Sequence, residues 1–429
     1  MACSRRTRIV RRPSEHAGPF PRLAFLLAAG LFTLSCRAEP AAEAPVTLPE
    51  QVLPPVFPEP TPVRLGGMTT DGKAARADLN ARIDGLGEAL AVAPDSIDLR
   101  RNLVDTLLAR TAYFGTYTDF DTAMALADEG VALAPKGPDA LLLRAQVLSS
   151  VHRFAEARSL AAPFAATHKT ATRLLETIDL ALGQNLEAVL TARAAEVDRR
   201  ESYSSLAAQA VAQAALGRFD EADQSYRSAI AVYRDVSPLP HASVAFQRGV
   251  MWAEVAGDGL RAVPLYREAL DRLPGYVVAS VHLAELEAQH GLRPQAIARL
   301  RALVDAGTGD PEPAGLLSEL LAQDDPAESQ RLASHAAEQY DRLLGRHRAA
   351  FLDHAAEFFA GPGKAPKKAL KLALENVALR PTERAYLVAV EAALAAGDPS
   401  EACRLAAEAP RLGVSVPFRQ ATEGLCPAH

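Results

Sequence analysis

Three short patterns pair an imidazole with a carboxylate three residues on: His282-Leu-Ala-Glu285, His335-Ala-Ala-Glu338 and His354-Ala-Ala-Glu357. On a helix, positions i and i+3 share a face, so each pair offers a nitrogen and an oxygen ligand to one metal ion. The same spacing suits a surface pair or a helix-to-helix hydrogen bond, and in a chain with ten histidines that plainer role is favoured. No metal and no cofactor is expected. Other carriers of chemistry are missing from the sequence: there is no glycine-rich phosphate loop, G-x-S-x-G elbow, H-E-x-x-H or C-x-x-C. The chain is expected to be non-catalytic.

Residues that pair at i and i+3 need helices to carry them. From about Asp71 onward nearly every segment reads as an amphipathic helix of roughly 10–15 residues, broken at APDS 93–96, APKGP 134–138, VSPLP 236–240, GTGDPEP 307–313 and AGPGKAP 360–366. The chain is 49% hydrophobic but only 6% aromatic, and much of the apolar share is alanine, which favours helix over sheet. No run of alternating β-branched residues occurs.

The helices repeat. Gly183, Gly217, Gly257 and Gly291 are spaced by 34, 40 and 34 residues, and each is followed five positions later by Ala188, Ala222, Ala262 or Ala296. Tyr226, Tyr266 and Leu300 come four further on, Ala229 and Ala269 three after that, and Pro274 closes one unit. Glycine permits the tight turn, alanine lets two helices approach, and the large residue fills the groove between them. The 40-residue interval is read as one unit plus six residues inserted around Pro238-Leu239-Pro240, and Ala192 stands where one unit should carry its groove aromatic.

This pattern resembles the tetratricopeptide repeat superfamily, most clearly over RFDEADQSYRSAIAVY 218–233 and GLRAVPLYREALDRLPG 259–275. Weaker units fit at 72–95, 98–135, 138–168, 311–345, 350–381 and 383–410. The resemblance implies an all-α fold: a right-handed solenoid of about eight stacked antiparallel helix pairs over residues 71–425, without a β-sheet. It also implies that the first helix of each pair lines a concave face where a protein or peptide partner binds. Arg173, Thr177, Val211, Gln247, Met251, Glu254, Val281, Glu285 and Gln289 map to that face, with Trp252, the only tryptophan, in the same helix as Gln247 and Glu254. Gln247, Glu254, Glu285 and Gln289 form a polar patch across two units.

The first residues read as an address. Six arginines precede LAFLLAAGLFTL, a twelve-residue apolar run at 23–34; a basic region followed by a short apolar one describes an export signal, and spanning a bilayer takes about 20 residues. The run ends Thr33-Leu34-Ser35-Cys36, which resembles the bacterial lipobox and implies lipidation at Cys36 after removal of residues 1–35; ordinary cleavage after Ala38 is the alternative. Arg37 does not resemble an inner-membrane retention signal, so a periplasmic or outer-membrane-anchored lipoprotein is expected. Residues 36–70, with eight prolines between 40 and 62, read as an extended tether.

Removing residues 1–35 leaves 40 basic against 51 acidic residues, a net charge of −11. An acidic chain without a basic stripe repels phosphate backbones and anionic lipid surfaces, so membrane attachment is expected only through the lipid. In an oxidising compartment Cys403 and Cys426 are a candidate disulfide closing the last unit. The leading function is thus a protein-interaction scaffold of the cell envelope. Its alternatives are an envelope glycan- or lipid-handling accessory protein, or a metal-dependent enzyme using the His/Glu pairs.

Overall fold

The computed structural model describes residues 67–410 and 414–426. The expected signal, the lipidation residue Cys36 and most of the tether lie outside them. Twenty α-helices and no strand are found among the described residues. They form an α-solenoid: nine antiparallel pairs run from Ile97–Phe114 with Asp119–Leu133 to Glu383–Ala395 with Pro399–Glu408. A single helix stands at each end, Gly72–Val92 and Val416–Thr422. Nine pairs with two flanking helices are found where about eight pairs were expected, and the stretch 72–95, fitted as a weak unit, holds the single helix Gly72–Val92 instead of a pair.

The repeat logic holds where the frame is clean. Gly183, Gly217, Gly257 and Gly291 all turn with φ between 65° and 78°, the left-handed region in which a side chain would be strained. Ala222, Ala262 and Ala296 are fully buried beneath Tyr226, Tyr266 and Leu300. The unit at Gly183 departs from it. Asn185 adds a second left-handed residue, φ 51°, and helix Leu186–Arg199 starts one position later. Val189 is therefore buried and Ala188 exposed. The groove is filled by Arg193 instead of Ala192; its Nη1 donates to the Ala208 carbonyl at 3.0 Å and its Nε lies 3.4 Å from Glu176.

The six-residue insertion is also placed differently from expectation. Pro238 opens helix Pro238–Val250 behind the Ser237 cap, and most of the extra length follows that helix as a π-helical turn, Met251–Val255. Its wide pitch shows in the Ala256 N–H, which donates to the Met251 carbonyl at 2.9 Å. Such turns are rare and recur at functional positions.

The solenoid winds back on itself, so its early pairs pack into the inner wall of later ones. Tyr113 donates to the Leu239 carbonyl at 3.3 Å and sets its ring edge-on to Tyr276, 5.1 Å away. Tyr117 donates to Asp310 Oδ2 at 3.0 Å. Phe120 joins the core formed by Val281, Leu317 and Phe351, and His347 Nε2 lies 3.0 Å from Asp121 Oδ1. The first described residues are tied down too: the Thr70 N–H donates to the Val236 carbonyl at 2.8 Å, and Arg272 Nη1 donates to the Gly67 carbonyl at 3.0 Å. Much of the concave face is thereby internal. At the far end Cys403 and Cys426 are joined in a disulfide, with their Cα atoms 5.2 Å apart.

Candidate functional site

The π-helical turn places successive residues on opposite duties. Met251 and Trp252 point into the packed side, 2% and 6% exposed. They are therefore core residues and not part of an open inner face. The Trp252 indole N–H donates to Asp223 Oδ1 at 3.3 Å, Arg248 Nε donates to the same oxygen at 2.8 Å, and the Arg261 guanidinium lies 3.3 Å above the Trp252 ring. Burial opposes ionisation of Asp223, but the hydrogen bonds from Arg248, Trp252 and Arg227 outweigh it and lower its pKa. Val281 is likewise fully buried and serves packing.

Glu254, on the same turn, swings the other way. It meets His282 and Glu285, which share one face of helix Val277–Gln289. His282 Nδ1 lies 3.2 Å from Glu254 Oε1 and 3.6 Å from Glu285 Oε2. Gln289, one more turn along that face, lines the same small space, about 30 Å³, together with Arg384 and Pro417. Burial alone would lower the imidazole pKa; the hydrogen bond and charge of Glu254, with Glu285 and Glu312 behind it, raise it.

A second cluster repeats the arrangement two units on. His354 Nδ1 lies 3.5 Å from Glu312 Oε1 and 3.7 Å from Glu357 Oε2. Against the opposing effect of burial, Asp353, Glu312 and Glu357 raise this imidazole to about 10. Arg384 joins the two clusters, with Nη2 2.5 Å from Glu357 Oε1 and Nη1 3.6 Å from Glu254 Oε2. Glu285, His282, Glu254, Arg384, Glu357, His354 and Glu312 therefore form one chain of alternating charge through the lumen. The third sequence pair, His335 and Glu338, is exposed on helix Pro326–His347 and takes no part.

A cavity of about 260 Å³ lies between the clusters, with His282 and His354 both on its wall. Phe246, Tyr117, Tyr340 and Phe351 supply its aromatic sides, Asp310 and Glu312 its carboxylates, and the exposed Gln247 lies at its edge. Burial, then the charge of Glu312, pushes the Asp310 carboxyl up to about 6. Tyr117 is pushed well above its ordinary value, first by burial and then by Asp310 and Glu312.

The structure thus gathers Gln247, Glu254, Glu285 and Gln289 around adjoining spaces. Arg173 stands apart on helix Lys169–Ala181, more than half exposed, where it shares Glu196 with Lys169 and Arg199; Thr177 and Val211 are exposed in the same region. Tyr117, Asp310, Glu312 and Arg384 were not marked by the sequence. Asp310 and Glu312 fall in GTGDPEP 307–313, where two carboxylates within a proline-bearing break were the one signal to follow.

Residues 256–320 match the tetratricopeptide repeat family. That stretch carries His282, Glu285, Gln289, Asp310 and Glu312. No curated protein matches the chain. Among solved structures, it is similar to a chain of the APC/C hetero-tetramer Cut9–Hcn1, at 14% identity over 77% of this chain and 63% of that one, with a TM-score of 0.40. It is also similar to yeast Tom70, at 14% identity over 82% of this chain and 94% of that one, with a TM-score of 0.33. The chain thus spans less than two thirds of the Cut9–Hcn1 chain.

Proposed function

We propose that the protein is a non-catalytic interaction scaffold of the bacterial cell envelope, exported and held at a membrane by lipid on Cys36. Its partner is a protein or peptide whose polar side chains reach the inner face at the Gln247 edge. The observation that carries this reading is the lining of the lumen. Glu254, Glu285 and Glu312 from consecutive inner helices, and Asp310 from the loop before the last of them, converge onto spaces bordered by Gln247 and Gln289. These carboxylates alternate with His282, His354 and Arg384, so the wall offers polar groups of both signs beside aromatic rings. A preformed α-solenoid suits this role because its binding surface needs little ordering when the partner arrives. The repeat match over 256–320 agrees with a scaffold, and the basic leader with the Pro-rich segment after Cys36 agrees with export and tethering.

The test is photo-crosslinking in the intact envelope. A photoreactive residue in place of Gln247 should capture a defined partner, and capture should fall when Glu254 and Glu285 are both changed to Gln. Adducts formed from the outer-face positions Leu133 or Leu379, and none from position 247, would overturn the assignment of the face. Cys36→Ala should leave an uncleaved or soluble product; membrane partition like that of wild type would remove the lipid anchor.

A further inference from the structure

We infer that Glu254, His282, Glu285 and Gln289 form a binding site for one divalent transition-metal ion of the zinc class. The donor atoms are spaced for it. Tetrahedral coordination with bonds of about 2.0–2.1 Å places neighbouring ligand atoms about 3.3–3.5 Å apart. His282 Nδ1 is 3.2 Å from Glu254 Oε1 and 3.6 Å from Glu285 Oε2, and the three groups each present an atom within 4.8 Å of the others. One imidazole nitrogen with carboxylate oxygens suits zinc or manganese and is a poor cage for calcium, which takes oxygen ligands throughout.

Gln289 gives an independent indication. Its Oε1 is shut off from solvent and accepts no hydrogen bond among the described residues, yet it lines the same 30 Å³ space as the other three groups. A buried carbonyl oxygen without a donor is costly, and a cation in that space would satisfy it. The volume suits a single ion or water. The two glutamates balance a doubly charged ion, and Arg384, which lines the same space, meets Glu254 at Oε2 and leaves Oε1 to the imidazole. The ring of His282 is held by near-parallel stacking on Tyr266, with centroids 5.5 Å apart, so the nitrogen is oriented before an ion arrives. The ion would tie the π-helical turn to helix Val277–Gln289 and give the scaffold a metal-dependent inner wall.

The proposal is independent of any partner and is tested without one. Tag-free mature protein, stripped with chelator and dialysed, is titrated calorimetrically with zinc chloride, then with manganese and calcium chloride. One equivalent of zinc should bind, and calcium should give no comparable binding. Glu254→Gln with Glu285→Gln should weaken zinc at least about tenfold, Gln289→Leu should weaken it several-fold, and Glu338→Gln should change nothing. Circular dichroism checks the fold of each variant; should the double variant unfold, Gln289→Leu and His282→Gln carry the comparison. Absence of stoichiometric zinc uptake by wild type, or equal uptake by folded variants at these positions, overturns the site.

Discussion

Gly249 lies near the end of the inner helix Pro238–Val250, directly against the ring of Tyr266. A methyl group there would meet Cε1 of the ring at 2.4 Å and Cδ1 at 2.7 Å. Carbon atoms in contact sit about 3.5–4.0 Å apart, so ring and helix would have to separate by about 1 Å. The ring has nowhere to go: Tyr266 is fully buried, His282 stacks on it at 5.5 Å, and Phe246 lies 5.9 Å away. In an open helix the same change gains about 0.8–1 kcal/mol from backbone propensity. Overpacking costs about 1–3 kcal/mol, occasionally more, and here it also disturbs the stacked pair, so Gly249→Ala should lose about 1–2 kcal/mol net. Gly85 and Gly87 in helix Gly72–Val92 supply the control, because a Cβ at either meets nothing within 4 Å. Each should gain about 0.5–1 kcal/mol on change to Ala. Urea unfolding followed by far-ultraviolet circular dichroism measures all three variants. If Gly249→Ala is as stabilising as Gly85→Ala, the close fit of inner and outer helices at this unit is wrong.

Two further outcomes follow from buried groups. The Asp310 carboxyl is raised to about 6 from an unfolded value near 3.8, so its charged form is disfavoured in the fold. That penalty grows as pH rises from about 4 to 6 and is constant above. Two pKa units are worth about 3 kcal/mol, less about 1 for the weakened hydrogen bond from Tyr117, so Asp310→Asn should raise stability by about 2 kcal/mol at pH 7.5 and by little at pH 4; an equal effect at both values in pH-resolved denaturation would refute this. The disulfide between Cys403 and Cys426, 23 residues apart, should stabilise the last unit by about 3.5 kcal/mol in the chain-entropy model. Cys403→Ser should then speed amide exchange in helix Val416–Thr422 and leave Ile97–Phe114 unchanged, and uniform acceleration along the chain would contradict a local staple.

The helix pairs were legible because their determinants are local. Gly217, Ala222 and Tyr226 sit within one turn-and-helix, and the same types recur at Gly257, Ala262 and Tyr266, so period alone reveals the contact. Among the four clear units the frame slipped at Asn185, where one more left-handed residue moved the inward positions from Ala188 and Ala192 to the buried Val189 and the half-buried Arg193. The winding-back of the solenoid left no such trace. It rests on partners far apart in sequence: Thr70 with Val236, Tyr117 with Asp310 and Asp121 with His347 are separated by 166, 193 and 226 residues. Nothing periodic marks those residues. Their effect is large, because they turn an expected open groove into a lumen and make Val281 a core residue.

The histidine pairs show how the same fold sorts identical motifs. A His-x-x-Glu pair fixes only that two groups share a helix face; the third group must come from the neighbouring inner helix. For His354 it is Glu312, two positions past Asp310 in a proline-bearing break. For His282 it is Glu254, and Glu254 is in reach because the π-helical turn Met251–Val255 lengthens its helix after Val250. The same turn holds Trp252 against Asp223 and Arg261 on the packed side, which fixes the orientation of the turn as a whole. His335, on the second helix of its pair, faces outward and meets no such neighbour. The difference between a solvated pair and a half-buried charge chain is therefore set by which helix of the pair carries the motif. At His282 it is set further by five residues that a regular repeat would not contain.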